Sequence, residues 1–329
     1  MPTTTLTQVA PGVQAFYDRN LLMRAQPAEV HGRFGQKRPI SKRNGNQIKF
    51  RRYSQLAAAS TPLTEGVTPA GSSLAVTDLT ATLAQYGDFI TLSDMVSMVN
   101  QDAVVTEATD VLGDQAGTTI DQARRDVLVA GTNVAYANGV AARVNVNTKL
   151  AAADLDKAIR ALKVQNAKYV KEGIGASDKV GTASVRKSFI AIVHPDVEFD
   201  LESITGYRSI SDYGSQEGIM DDEIGAYKNI RFVASTNAKI FAGAGAAGTT
   251  SFKNDGTNYD VYVTLIFADN AYGVCPLSGE AMNTYVKALG SAGSADPLEQ
   301  RSTVGWKATT TTKILNDSWL IRLESTASL

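Results

Sequence analysis

Residues 47–92 read QIKFRRYSQLAAASTPLTEGVTPAGSSLAVTDLTATLAQYGDFITL, and this stretch decides the fold of the chain. Its outgoing arm alternates apolar Ile48 and Phe50 with basic Lys49, which is the two-residue period of a β-strand. The returning arm, residues 73–92, is rich in Thr and Val and keeps the same period. The stretch therefore predicts a long β-hairpin.

The tip of this hairpin is marked by proline and glycine. Four such residues interrupt any continuing strand: Pro62, Gly66, Pro69 and Gly71. Arms of about a dozen residues, at roughly 3.3 Å per residue, would project about 40 Å. An isolated two-stranded ribbon is marginally stable in water, and this one has little apolar surface of its own to bury. We therefore expect it to lie on a neighbouring copy of the same chain.

Composition limits the classes of protein to which the chain can belong. It has 329 residues, 43% of them hydrophobic, so about two domains with real cores are expected. A formal net charge of -1 argues against a general binder of polyanions. Cys275 is the only cysteine, which excludes an internal disulfide and a cysteine-based zinc site. Neither a membrane span nor a secretory leader is visible, so we expect residence in a reducing cytoplasm.

Helical periodicity follows the hairpin. Apolar residues recur at spacings of three and four from about residue 101 to 130, which predicts a long helix. We expect the core face of this helix to include Val111, Leu112, Ile120 and Leu128. A second amphipathic helix is predicted over about 153–166.

Strands dominate the rest of the chain. The run SFIAIVHP at 188–195 predicts a buried strand, and a short helix is expected to begin at Asp196. Residues 204–226 are rich in Gly, Ser, Asp and Tyr and predict a long loop, of a kind that is commonly functional. Later segments rich in β-branched or aromatic residues predict strands up to the C-terminus. The whole pattern predicts an α+β fold.

Three phrases of the sequence resemble a known family. They are KFRRYSQLAAASTPLTEGVTPAGSSLAVTDLTATLAQYGDFITLSD at 49–94, EIGAYKNIRFVAS at 223–235 and DPLEQRSTVGWKATTTTKILNDSWLIRLES at 296–325. In phrase and in order they resemble the major capsid protein of tailed bacteriophages, with the Hong Kong 97 phage-type fold that encapsulins share. The resemblance is strongest to the group typified by phage N-four.

The resemblance implies a division of the chain into four parts. Residues 1–40 would form an N-terminal arm, and residues 41–92 an extended loop built on the β-hairpin. A peripheral domain with a long spine helix would combine residues 93–148 with 281–329. An axial α/β domain, residues 149–280, would be inserted between those two halves.

The resemblance also implies a function. Copies would assemble as pentamers and hexamers into an icosahedral shell around double-stranded phage DNA, held without sequence preference. The expected partners are other copies, a portal protein and, as further candidates, scaffolding or decoration proteins, with no membrane. The expected location is the virion capsid, assembled in the cytoplasm of the host bacterium. The alternative within this fold is an encapsulin-like nanocompartment that encloses protein cargo.

A basic stretch runs from Arg33 to Arg52, with eight Lys or Arg residues and no acid. One hypothesis has these charges neutralise DNA phosphates, with steep salt dependence. The other pairs them with acids of neighbouring subunits, and we favour it because the resemblance places the arm and extended loop mostly on the outer side of the shell. The candidate intersubunit residues are Arg38, Lys42, Arg43, Lys49, Phe50, Arg51, Arg52, Tyr53, Pro62, Leu63, Glu65 and Val67.

Three further patterns could indicate a cofactor site, a nucleophilic pair or a cation site, but a purely structural role explains each of them better. Residues 243–248 read GAGAAG, but a dinucleotide site needs the glycines to open a helix, and turn residues follow here. His194 and Cys275 lack an identifiable activating group. The acids at 221–223 lack the spacing of a calcium loop. We therefore expect no enzyme activity, and no catalytic, cofactor-binding or metal-binding residues.

Overall fold

The computed structural model describes residues 29–41, 43, 45–54, 56–63, 65–95, 104–177, 182–215, 217–277, 282–291 and 296–329. Its α-helices are α1 Val104–Val129, α2 Ala152–Val164 and α3 Pro195–Glu202. Its strands are β1 Gln36–Lys37, β2 Gln47–Tyr53, β3 Val76–Thr82, β4 Ala84–Ser93, β5 Val134–Tyr136, β6 Phe189–Val193, β7 Tyr207–Ser209, β8 Glu223–Tyr227, β9 Ile230–Ala234, β10 Ile240–Phe241, β11 Val261–Phe267, β12 Tyr272–Pro276, β13 Asn283–Lys287, β14 Arg301–Ile314 and β15 Leu320–Ser325.

These strands form two mixed sheets and a separate ribbon. The larger sheet has the order β5-β15-β11-β6-β9-β8-β7, and β10 pairs with β11. The smaller sheet has the order β1-β12-β14-β13, and β4 also pairs with β14. Strands β2 and β3 pair only with each other. The predicted mixture of helices and strands is confirmed.

Helix α2 covers one face of the larger sheet. Its buried residues Leu155, Ile159 and Leu162 recur at spacings of four and three, so they share one side of the helix. They form one core with alternate residues of the fully buried strand β6 and with Phe232 and Ile266. Each such side chain contributes roughly 1.5–3 kcal/mol by leaving water. This burial positions the larger sheet and the C-terminal strand β15.

Helix α1 packs on the smaller sheet. Leu112, Ala116 and Ile120 meet Val304 and Trp306 of β14 in one core cluster. The glycines at 113 and 117 lie among the buried residues of the helix. They lower helix propensity by about 1 kcal/mol each, and the tertiary contacts of this face offset that cost.

The predicted core face of α1 needs one correction. Leu112, Ile120 and Leu128 are buried as expected, with Leu112 only 2% exposed. Val111 is 61% exposed and points away from the sheet. Successive helical residues are separated by about 100°, so Val111 lies on the side of the helix opposite the buried Ile120, nine residues later.

The hairpin is shorter than predicted. β2 and β3 have seven residues each, so at roughly 3.3 Å per residue the paired ribbon spans about 23 Å. At Leu83 the chain leaves the ribbon, and the following ten residues, β4, pair with β14. The second half of the predicted returning arm is therefore a strand of the smaller sheet.

The predicted loop at 204–226 is also partly ordered as strand. It contains β7 and most of β8, which pair with each other at the edge of the larger sheet. Both are short, and Gly206 and Gly218 within this span adopt positive φ values of 94° and 85°, as turns require.

The two sheets exchange segments across the predicted domain boundaries. β5 and β15, assigned to the peripheral domain, pair within the larger sheet. β12, assigned to the axial domain, pairs within the smaller sheet. The division at residues 148 and 280 stays a prediction. By sheet membership, β5 and β15 would group with the axial domain and β12 with the peripheral domain.

Candidate intersubunit surface

The base of the ribbon is attached to its own subunit by a small apolar core. Phe50 of β2 and Ala81 of β3 are buried together with Ile40 and Cys275. A Cβ added to Gly273 would lie 2.8 Å from the Phe50 ring, so glycine at this position permits the close approach of β2 to β12. The ribbon therefore buries more apolar surface within its own subunit than its sequence pattern predicts. Phe50, at 4% exposure, serves this attachment.

Above this core the ribbon presents arginines. Arg51 donates from Nε and Nη2 to the Asp78 carboxylate on the facing strand, at 3.0 and 3.3 Å. Asp78 has a lowered pKa because of this hydrogen bond. Arg52 donates to the neutral Oδ1 of Asn316 at 3.0 Å. Arg51 is thus paired within its own ribbon, whereas Arg52 has only a neutral acceptor among the described residues.

The tip of the ribbon, residues 54–75, is exposed at every position that the structure describes. Its apolar side chains are unusually open, with Leu63 at 78%, and the others are Leu56, Val67 and Leu74. Gly66 has a φ of +77°, which places a tight turn at Glu65–Gly66. The tip therefore offers apolar side chains and one acid to a partner, since its described residues bury none of them.

A cavity of about 500 Å³ lies between the ribbon base and the body of the subunit. Its wall contains Arg38, Arg51 and Arg52 and, among the described residues, no acid. Tyr53 and Trp319 also line it, and the neutral polar residues of the wall are Gln36, Ser54, Gln165, Asn270, Asn316 and Ser318. We call this cavity the basal cleft. Its arginines and polar neighbours suit an anionic group.

The predicted contact residues divide between these features. Arg38, Arg52 and Tyr53 line the basal cleft, as do Phe50 and Arg51. The exposed tip carries Pro62, Leu63, Glu65 and Val67. Arg43 and Lys49 are exposed at the start of the ribbon, and Lys42 lies outside the described residues. The structure thus brings five of the predicted residues to one cleft.

A second open groove lies on the outer face of the smaller sheet. Tyr285 and Phe89, the latter 66% exposed, flank Gly305 there, with Lys307 over the Tyr285 ring at 5.2 Å. A Cβ at Gly305 would lie 2.7 Å from the Phe89 Cβ, so any larger residue at this position would clash with Phe89 and fill the groove. An exposed apolar surface of this kind is typical of protein contacts.

The other candidate motifs have structural explanations. Residues 243–248 lie between β10 and β11, where Gly245 and Ala247 pair across a turn with Tyr259 and Asn258, so no helix opens there. His194 caps α3, its Nδ1 accepting from the Asp196 N–H at 3.1 Å. Burial raises the pKa of Cys275 to about 11. Neither geometry supports a nucleophilic pair.

No cluster of three or more metal-ligating side chains occurs in the part of the chain that the structure describes. At the acidic turn, Glu223 is buried against Arg231, and Asp222 pairs with Arg33 at 3.0 Å. Within the same described ranges, no helix is long and apolar enough to cross a membrane.

One buried contact was not foreseen from the sequence. The Asp121 carboxylate of α1 accepts from the backbone N–H of His31 at 2.7 Å and lies 2.8 Å from its Nδ1. Tyr272 donates to the His31 carbonyl at 2.7 Å, and Arg124 pairs with Glu29. These contacts fasten the end of the predicted arm to α1 and β12. The sequence held no signal for them, because the partners lie about ninety or more positions apart.

Comparison with known structures places this fold among phage capsids. The capsid of Ralstonia phage GP4 matches with a TM-score of 0.68 and 13% identity, covering 90% of this chain and 88% of that chain. The head of Helicobacter pylori bacteriophage KHP40 matches at 0.62 and 14%, covering 92% and 90%. The capsid of cyanophage Pam1 matches at 0.61 and 13%, covering 93% and 92%. At such identities the likeness shows the fold.

The family comparison is more specific. No curated protein matches the sequence significantly. A family model described as phage capsid protein matches residues 76–321, about three quarters of the 329 residues. That span includes the second ribbon strand, all three described helices and the strands of both sheets except β1 and most of β15. The chain therefore belongs to the phage capsid protein family.

Proposed function

We propose that this major capsid protein assembles as pentamers and hexamers into an icosahedral shell that encloses double-stranded DNA. Its role is structural, without catalytic activity. The exposed ribbon tip carries this proposal, because a tip with four open apolar side chains gains stability only on a partner surface. In a homo-oligomer the available partner surface is another copy.

The four predicted parts fit this role. The arm ends against α1, the ribbon projects, α1 supports the smaller sheet, and the larger sheet forms the second body of the subunit. We assign them to the N-terminal arm, extended loop, spine helix with peripheral domain, and axial domain of the Hong Kong 97 phage-type fold. The phrase at 49–94 supports the finer placement in the phage N-four-like group.

Assembly rests on many repeated contacts. Each is weak, but every copy repeats it in closed symmetry, so the total is large. We propose that the exposed candidate residues of the ribbon and arm, from Arg38 to Val67, make such contacts with adjacent copies, whereas Phe50 holds the ribbon base to its own subunit. The portal protein, with scaffolding or decoration proteins, joins the shell in the host bacterial cytoplasm.

Electron microscopy and nucleic-acid content of particles purified from infected cells test this function. We expect closed icosahedral shells that protect DNA from nuclease. The encapsulin-like alternative predicts shells of similar outline that contain protein cargo and no genome. A protein that stays monomeric at every concentration, with no shells in infected cells, would contradict both.

A further inference from the structure

We infer that the ribbon tip of one copy inserts Glu65 into the basal cleft of the next copy. The inference rests on the proposed assembly function and names the surface that receives the tip. Two observations on the same chain carry it: an isolated acid at the tip, and two arginines at the base, Arg38 and Arg52, that have no acid partner among the described residues.

The ribbon tip carries a single charge. Between Tyr53 and Asp78, Glu65 is the only charged residue. It stands at the turn, preceding Gly66, and is exposed. No ion pair joins it to a described residue of its own subunit. Leu63 and Val67 flank it, so the tip presents one carboxylate between two apolar side chains.

The basal cleft offers the complementary chemistry. The guanidinium carbon of Arg38 lies 5.9 Å from the centre of the Phe50 ring, and no acid of the described residues forms an ion pair with Arg38. Arg52 donates one hydrogen bond to the neutral Asn316. An arginine side chain has five N–H donors, so most of those of Arg52 can still bind a carboxylate. Apolar Leu79 and Leu315 line the same cavity and suit side chains such as Leu63. A volume of about 500 Å³ accommodates a few side chains of a turn.

The tip does not fill its own cleft. The described residues from 56 to 75 are all exposed, and none lines the cavity. Twelve steps along the chain lead from Tyr53 to Glu65, so at up to about 3.3–3.6 Å per step Glu65 can lie as far as roughly 40 Å from the basal cleft. A span of that length is enough for the tip to reach a neighbouring copy.

A contact between tip and base joins two different surfaces of identical chains. Such heterologous contacts build rings when the rotation between copies closes. The same contact could form rings of five or of six copies if the rotation between adjacent copies changed slightly. The assigned contact thus matches the symmetry that a shell of pentamers and hexamers requires.

Charge reversal tests the inference. Glu65→Arg alone, and Arg38→Glu with Arg52→Glu, should each raise the concentration needed for shell assembly by about tenfold, which corresponds to roughly 1.4 kcal/mol. Combining all three substitutions should restore that concentration to within about threefold of wild type, because the reversed charges attract again. Arg186→Glu, an exposed reversal outside the cleft, is the matched control and should change little.

Sedimentation measures assembly, and thermal melting of unassembled subunits checks that each variant folds. No rescue in the combined variant, or normal assembly of Glu65→Arg, would overturn the docking assignment. Weakening of only DNA-filled particles by the cleft reversal, with empty shells unchanged, would instead show that the cleft binds phosphate. Replacing residues 54–75 tests the proposed function separately, because loss of shells there with no effect of charge reversal would refute only the Glu65 contact.

Discussion

Burial beneath the ribbon sets the chemistry of Cys275. Its thiol belongs to the apolar core formed by Phe50, Ala81 and Ile40, and desolvation raises its pKa to about 11. A raised thiol pKa keeps the group protonated at neutral pH, and the thiolate is the reactive form. The reactivity of Cys275 therefore reports on the attachment of the ribbon.

We expect Cys275 in the folded subunit to react with a thiol reagent at pH 8 at least about tenfold more slowly than in the unfolded chain, because burial limits access and thiolate formation. Phe50→Ala should speed this reaction by loosening the ribbon base. Leu63→Ala, at the exposed tip, is the control and should leave the rate unchanged. Equal rates in folded and unfolded wild type would contradict the burial of this core.

At the scale of elements, helix α1 offers a matched pair of tests. Leu112→Asp should abolish most soluble folded subunit, because an unpaired charge in the core costs several kcal/mol. Val111→Asp changes an exposed neighbour and should alter the free energy of unfolding by about 0.5 kcal/mol or less. Denaturation of the two variants measures the difference. Equal stability of both would show that the core face of α1 is wrongly assigned.

The long periodic elements were predictable, and their ends were not. A period near 3.6 located α1 and α2, a period of two located β2, and enrichment in β-branched or aromatic residues located β11, β14 and β15. The alternation continues through Leu83, so nothing local showed that β4 leaves the ribbon for β14. That choice depends on the partner strand, which lies more than two hundred residues later in the sequence.

The candidate site was predictable by residue type and not by arrangement. The sequence identified the basic stretch and the tip, but not that Arg38, Arg51 and Arg52 line one cleft or that Arg51 pairs with Asp78. Gln165, Asn270 and Trp319 reach that cleft from distant parts of the chain. Contacts of this kind arise from tertiary packing, which periodicity does not describe.

At the scale of the whole molecule, the subunit combines several apolar cores with one exposed projection, the ribbon tip. The larger sheet with α2 and the smaller sheet with α1 each bury their own apolar faces. The ribbon tip buries nothing within the described chain. We expect a subunit built in this way to fold alone and to gain further stability in assembly, where a neighbouring copy would cover the tip.

Replacement of the tip tests this account most directly. Residues 54–75 are exchanged for a two-residue Asn-Gly turn that joins β2 to β3, with an equally long Gly/Ser segment as the control for length. The account predicts that both variants remain folded, with a melting temperature close to that of the wild-type subunit, and that neither forms shells in sedimentation or electron microscopy. Normal shells from either variant would contradict the central claim that the ribbon tip binds neighbouring copies.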